Sequence, residues 1–86
     1  MRASFEQLEA FVTTLNEVSF SAAARKCNKA QLVISTLVAN LEVDLDVELF
    51  DRSRRYPSLT KAGEALISPA EILLERRSRF LAVADA

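Results

Sequence analysis

Two groups of residues in this sequence have the types and spacing to do chemistry. Arg52, Arg54, Arg55 and Lys61 fall within ten residues that contain no acid, directly after an acidic stretch of Glu42, Asp44, Asp46, Glu48 and Asp51. Cations gathered in a short polar segment can bond phosphate oxygens, and one guanidinium can enter a narrow minor groove, where the negative potential is enhanced. The second group is Gln31, Leu32, Ser35, Thr36 and Ala39, which helical spacing places on one face, away from Ile34, Leu37, Val38 and Leu41. An amide can bond two atoms of an adenine edge, a hydroxyl can reach a base or a phosphate, and Leu32 or the Thr36 methyl can meet a thymine methyl. The competing reading is an ordinary solvated face; Leu32 sharpens the first, because an exposed Leu calls for a reason only when it joins a functional surface. Arg52 also has two readings, a DNA contact or an internal ion pair with Asp51, Asp46 or Glu48. Arg25 and Lys26 can touch phosphate or be plain exposed charges.

Other chemistries are excluded by what is missing. There is no His and a single Cys, so no internal disulfide, histidine acid/base pair or cysteine-histidine metal cluster can form. The chain is therefore read as a non-enzyme with no cofactor. Cys27 is either a buried structural thiol or a redox sensor, and no second Cys or set of basic neighbours marks the latter. Net charge is -1, which by itself argues against a nucleic-acid partner, yet the charge is polarised. Residues 1–51 carry four basic and eight acidic side chains, against seven and four in residues 52–86. No apolar run approaches the roughly 18 residues of a membrane span, so the chain is expected to be soluble and cytoplasmic.

The elements that would hold these groups are mostly helical, because half of the 86 residues are apolar while Gly occurs once and Pro twice. A chain this short buries only about 60 to 65% of its unfolded surface, and a partner subunit would help it. Ser4 and Gln7 form a capping-box pair, and Phe5, Leu8, Phe11, Val12 and Leu15 predict a first helix to about Glu17. Ser21 is expected to cap a short second helix from Ala22 to about Cys27. Asn28-Lys29-Ala30 turns into a third, from Gln31 to about Asp44. From Val47 to Leu59 the pattern predicts two short extended pieces around the basic tip, with Pro57 at an edge or turn. Thr60 caps a last helix, in which Pro69 predicts a kink or a short break near Ser68. Leu66, Ile67, Ala70, Leu73, Leu74, Phe80 and Leu81 repeat along it close to every seven residues, as a dimer seam does, or as core for a domain outside the chain.

Three helices, the third entered through a tight turn, and a basic hairpin describe a mainly α winged helix-turn-helix with a two-stranded wing. Phe11-Val12, Ser19-Phe20-Ser21-Ala22-Ala23-Ala24, Gln31 with Ser35, Leu41-Glu42, Leu45 to Arg52 and Leu59-Thr60-Lys61-Ala62-Gly63 together resemble the amino-terminal domain of LysR-type transcriptional regulators. The resemblance implies a bacterial regulator with a DNA-binding domain over residues 1–59 and a linker or dimerisation helix over 60–86, followed by an effector-binding domain that these residues do not include. It implies a homodimer, often a tetramer in full-length members, that binds an imperfect inverted repeat of double-stranded DNA near a promoter, nucleoid-associated when bound. Three positions depart from the family pattern. Ala30 stands where a capping Ser is usual, Leu32 replaces a small residue or Pro, and Thr36 replaces a frequent Arg or Gln. With no Lys or Arg from Gln31 to Leu45, phosphate binding falls to Lys29 and the wing. The other function open to such a chain is a winged-helix interaction or dimerisation module with weak or no specific DNA binding.

Overall fold

The computed structural model describes residues 3–85. Four helices follow one another: α1 (Phe5–Glu17), α2 (Phe20–Cys27), α3 (Gln31–Leu45) and α4 (Lys61–Ala84). The segment between α3 and α4 folds into the wing, where Phe50 and Leu59 form an isolated antiparallel bridge. The Asp51 N–H donates to the Ser58 carbonyl at 2.8 Å and the Thr60 N–H to the Leu49 carbonyl at 3.0 Å. The wing is thus shorter in regular pairing than two strands, and its ends are tied at the base.

Local chemistry sets the helix starts. The Ser4 Oγ accepts from the Gln7 N–H at 3.1 Å while the Gln7 Oε1 accepts from the Ser4 N–H at 2.8 Å, so both halves of the expected capping box form. The cap of α2 is Ser19 and not Ser21: the Ser19 Oγ accepts from the Ala22 N–H, and the helix has begun at Phe20. Ser21 lies inside the first turn, its hydroxyl 3.0 Å from that of Ser19. Thr60 caps α4 through the Gly63 N–H. Three helices end on a left-handed residue, Val18, Asn28 and Asp46, with φ of 53, 56 and 56°. Asn and Asp tolerate that region, whereas a β-branched Val is strained in it.

The helix α4 runs through Pro69 without interruption, so of the kink or short break expected near Ser68 the break does not occur. The carbonyl that loses its usual intrahelical donor belongs to Ala65, an exposed residue whose oxygen water can satisfy. At 24 residues the helix is about 36 Å long. It accounts for a longest dimension of 45 Å against 25 and 19 Å for the other two.

The core lies where α1 meets α2, α3 and the first half of α4, with α2 also against α3. Phe11, Ile34, Val38, Leu41, Leu49 and Phe50 are wholly buried. The Phe50 ring reaches in from the wing and meets Phe11 and Phe20 edge to face, with centroids 5.7 and 5.8 Å apart. Such pairs add about 0.5–1.5 kcal/mol each to the area they bury, and here they bolt the wing to the helices. On the far side the Gln7 Nε2 donates to the Asp44 carboxylate at 3.2 Å and joins α1 to α3.

Candidate nucleic-acid interface

The buried residues of α3, Ile34, Val38 and Leu41, turn one side of the helix inward and thereby turn another outward. Gln31, Leu32, Thr36 and Ala39 are exposed on it and Ser35 is half-buried. Leu32 is 77% exposed, more than any other large apolar side chain among the described residues. As expected from Ala30, no side chain caps α3. Its first amides therefore remain available to an anion.

The cations divide into engaged and free. The Lys29 Nζ lies 3.3 Å from the Glu6 carboxylate, so the residue expected at a phosphate is paired to α1. Arg52 makes an internal pair, with an acid outside the three considered, and its side chain stays 51% exposed. Its guanidinium donates to the Glu42 Oε1 at 2.8 Å and lies 5.7 Å from the centre of the Phe20 ring. The other oxygen of Glu42 accepts from the Leu49 N–H at 2.7 Å and the Phe50 N–H at 3.4 Å. One carboxylate thus holds the end of α3, the entry to the wing and Arg52 together. The sequence contains Leu41-Glu42 as a motif, yet the nine residues between Glu42 and Arg52 carry no periodic signal that would pair them.

At the wing tip Arg54 lies 3.7 Å from Asp51 and its side chain is 70% exposed, so it can exchange that partner for another. Asp51 is held below the usual aspartate range, first by the Ser53 hydroxyl, which donates at 2.6 Å, then by the Ser53 N–H at 2.9 Å, with the Arg54 charge adding to both. Arg55 lies 5.5 Å from the Tyr56 ring centre and has no acid within ion-pair distance among the described residues, as is also true of Arg25 and Lys61. Lys26 makes a loose 3.8 Å pair with Glu17. Cys27 is half-buried and packs against the core.

The seven-residue stripe of α4 divides in the structure. Ala70 is buried in the core, and Leu66, Ile67 and Leu74 pack partly against it. Leu73, Phe80 and Leu81 are exposed, as are Ile72 and Val83. Beside the first half an apolar groove of about 330 Å³ opens between Phe5, Leu45, Pro69 and Leu73. No helix among the described residues is long and apolar enough to cross a membrane.

A short helix and a tight turn leading into an outward-facing helix, with a wing folded behind it, define a winged helix-turn-helix domain. Residues 5–64 match the family described as "Bacterial regulatory helix-turn-helix protein, lysR family", and the chain belongs to it. It is 41% identical over 76 residues to the HTH-type transcriptional regulator AceR of Acinetobacter baumannii, covering 87% of this chain and 26% of that protein. A solved Corynebacterium glutamicum OxyR mutant superposes with a TM-score of 0.94 at 35% identity, over 99% of this chain and 27% of the other. The BenM_DBD/catB site 1 DNA complex superposes with a TM-score of 0.89 at 29% identity, over 95% and 91%. This chain spans about a quarter of the length of the curated relatives it matches. They are regulators and not enzymes.

Proposed function

We propose that this chain is the sequence-specific DNA-binding part of a bacterial LysR-type transcription regulator that works in the cytoplasm. Its core domain, residues 1–59, places α3 in the major groove, where Gln31, Leu32, Ser35 and Thr36 meet base edges. Arg54 and Arg55 at the wing tip meet phosphates or the minor groove, and Lys29 joins them only by leaving Glu6. The linker region, residues 60–86, supplies through α4 the helix by which two copies pair, with Leu73, Phe80 and Leu81 as the seam. Two-fold pairing presents two α3 helices to an inverted repeat.

The observation that carries this reading is the unengaged outward face of α3, with an exposed Leu32 and no capping side chain at its start. The likeness to a domain solved with DNA supports it. Selection of bound duplexes from a random pool tests it. The expected result is an inverted repeat, with Gln31→Ala and Ser35→Ala together abolishing the preference while weak, salt-sensitive binding remains. Replacing Arg54 and Arg55 by Ala should weaken binding evenly across sequences and reduce the salt slope by about one for each phosphate no longer neutralised. Recovery of no common sequence would favour an interaction module instead, a reading to which the pairing of Lys29, Arg52 and Arg54 with acids gives some weight.

A further inference from the structure

The chemistry of the α3 face says which bases it can read. Guanine is recognised in the major groove chiefly by Arg or Lys donating to O6 and N7. Between Gln31 and Leu45 there is no Arg or Lys. Cytosine N4 is recognised by a carboxylate. The two carboxylates of α3 are taken, Glu42 by the wing amides and Arg52, and Asp44 by Gln7. What remains outward is uncharged, the polar Gln31, Ser35, Thr36 and Asn40 interleaved with apolar side chains. Leu32, Thr36, Ala39 and Val43 follow at intervals of four, three and four residues and form one line along the helix. Leu32 and Val43 are 77% and 75% exposed, and Thr36 and Ala39 are exposed between them. An apolar line on the face turned to a groove is matched there by the C5-methyl of thymine, the one apolar group a base pair presents in that groove. Leu32 to Ala39 spans about 10 Å of helix, or about three base-pair steps.

Resting on the DNA-binding reading above, we propose that α3 reads a short A·T run through thymine methyl groups. Leu32, Thr36 and Ala39 cover successive methyls, and the Gln31 amide bonds an adenine edge beside them. Arg55 of the wing, which has no acid within ion-pair distance among the described residues, suits the same sequence, because A·T runs narrow the minor groove and attract guanidinium there.

The test measures affinity of the full chain for its selected site and for copies in which single thymines are replaced by deoxyuracil. That change removes one methyl and keeps the pairing. Each replacement under α3 should weaken binding about 4-fold, the ratio equivalent to about 0.8 kcal/mol for one buried methyl. Leu32→Ala should cost a similar factor and make the protein indifferent to uracil at its own position. Leu32 is exposed, so the variant should keep its fold, which circular dichroism checks, and the uracil series needs no variant. A selected site with G·C pairs required under α3, or an A·T site indifferent to uracil throughout, would overturn the proposal and leave DNA binding standing. Recovery of no common sequence would overturn both.

Discussion

Gly63 is the only glycine in the chain, and it lies inside the first turn of α4, where helix propensity alone favours Ala by about 0.8–1 kcal/mol. The tertiary structure gives the opposite sign. A Cβ at position 63 would stand 2.3 Å from the Leu49 carbonyl oxygen, 2.9 Å from the Leu59 Cδ2 and 3.2 Å from the Leu49 carbonyl carbon. The nearest obstacle is backbone, and it cannot easily move. Leu49 is wholly buried, its N–H donates to Glu42, and its carbonyl accepts from Thr60. Relieving the clash requires a shift approaching 1 Å between the wing base and α4. Overpacking of this kind costs about 1–3 kcal/mol, and loss of the Thr60 bond to Leu49 about 1 kcal/mol more. Set against the propensity gain, Gly63→Ala should destabilise the fold by about 1–3 kcal/mol, which for a domain of this size lowers Tm by at least about 4 °C. Denaturant titration and thermal melting measure this directly. A variant as stable as the parent would refute the reasoning. So would full rescue by Leu59→Ala, since it would make the side chain and not the carbonyl the obstacle.

Glu42→Ala should cost about 2 kcal/mol or more in denaturant unfolding, because it removes a charged acceptor and strands two amides at the buried base of the wing. Arg52→Ala removes the same ion pair but leaves no buried donor behind, so its cost should stay within about 1 kcal/mol; equal losses would contradict the assigned roles. Val18→Gly should stabilise by about 0.5–1 kcal/mol, because relief of the left-handed strain at φ 53° exceeds the added freedom of the unfolded chain, and an unchanged melting temperature would argue against strain there. Asp51 should titrate below the 3.8 of an unperturbed aspartate, so its contribution to the wing tip is full above that pH and is lost as pH falls through the lowered folded value. Carboxyl NMR titration should show Ser53→Ala moving the midpoint upward, and no movement would assign the shift elsewhere.

Much of the fold can be read from local pattern because the forces concerned are local. The Ser4 and Gln7 capping box, the start of α3 without a cap and the Thr60 cap each depend on residues three positions apart. The apolar spacing of α1 and α3 likewise selects the faces that the structure buries, apart from Phe5 and Val33, which stay exposed near the helix starts. The second helix is a closer case. Ser19 and Ser21 are equally able caps by type, and Ser19 prevails because the chain leaving the left-handed Val18 is already extended at that point. The break offered by Pro69 fails to form for a different reason. A proline breaks a helix only when the freed carbonyl goes unsatisfied and packing does not hold both sides, and here Leu66, Ile67, Ala70 and Leu74 pack toward the core on either side of it.

Residue types along one helix and one loop are enough to establish that α3 has an uncharged, partly apolar outer face and that the wing is the basic element. Which cations are free to meet a partner is settled by the folded chain alone. Lys29 is tied to Glu6 across 23 residues and Arg52 to Glu42 across ten, while Arg55 has no acid within ion-pair distance among the described residues. Folding also splits the stripe of α4 between two ends, its first half closing the core and its second facing outward. Ion pairs and helix docking join residues distant in the chain, and their choice among several nearby acids or apolar faces is made by the packing of α1, α3 and the wing rather than by any spacing along the sequence.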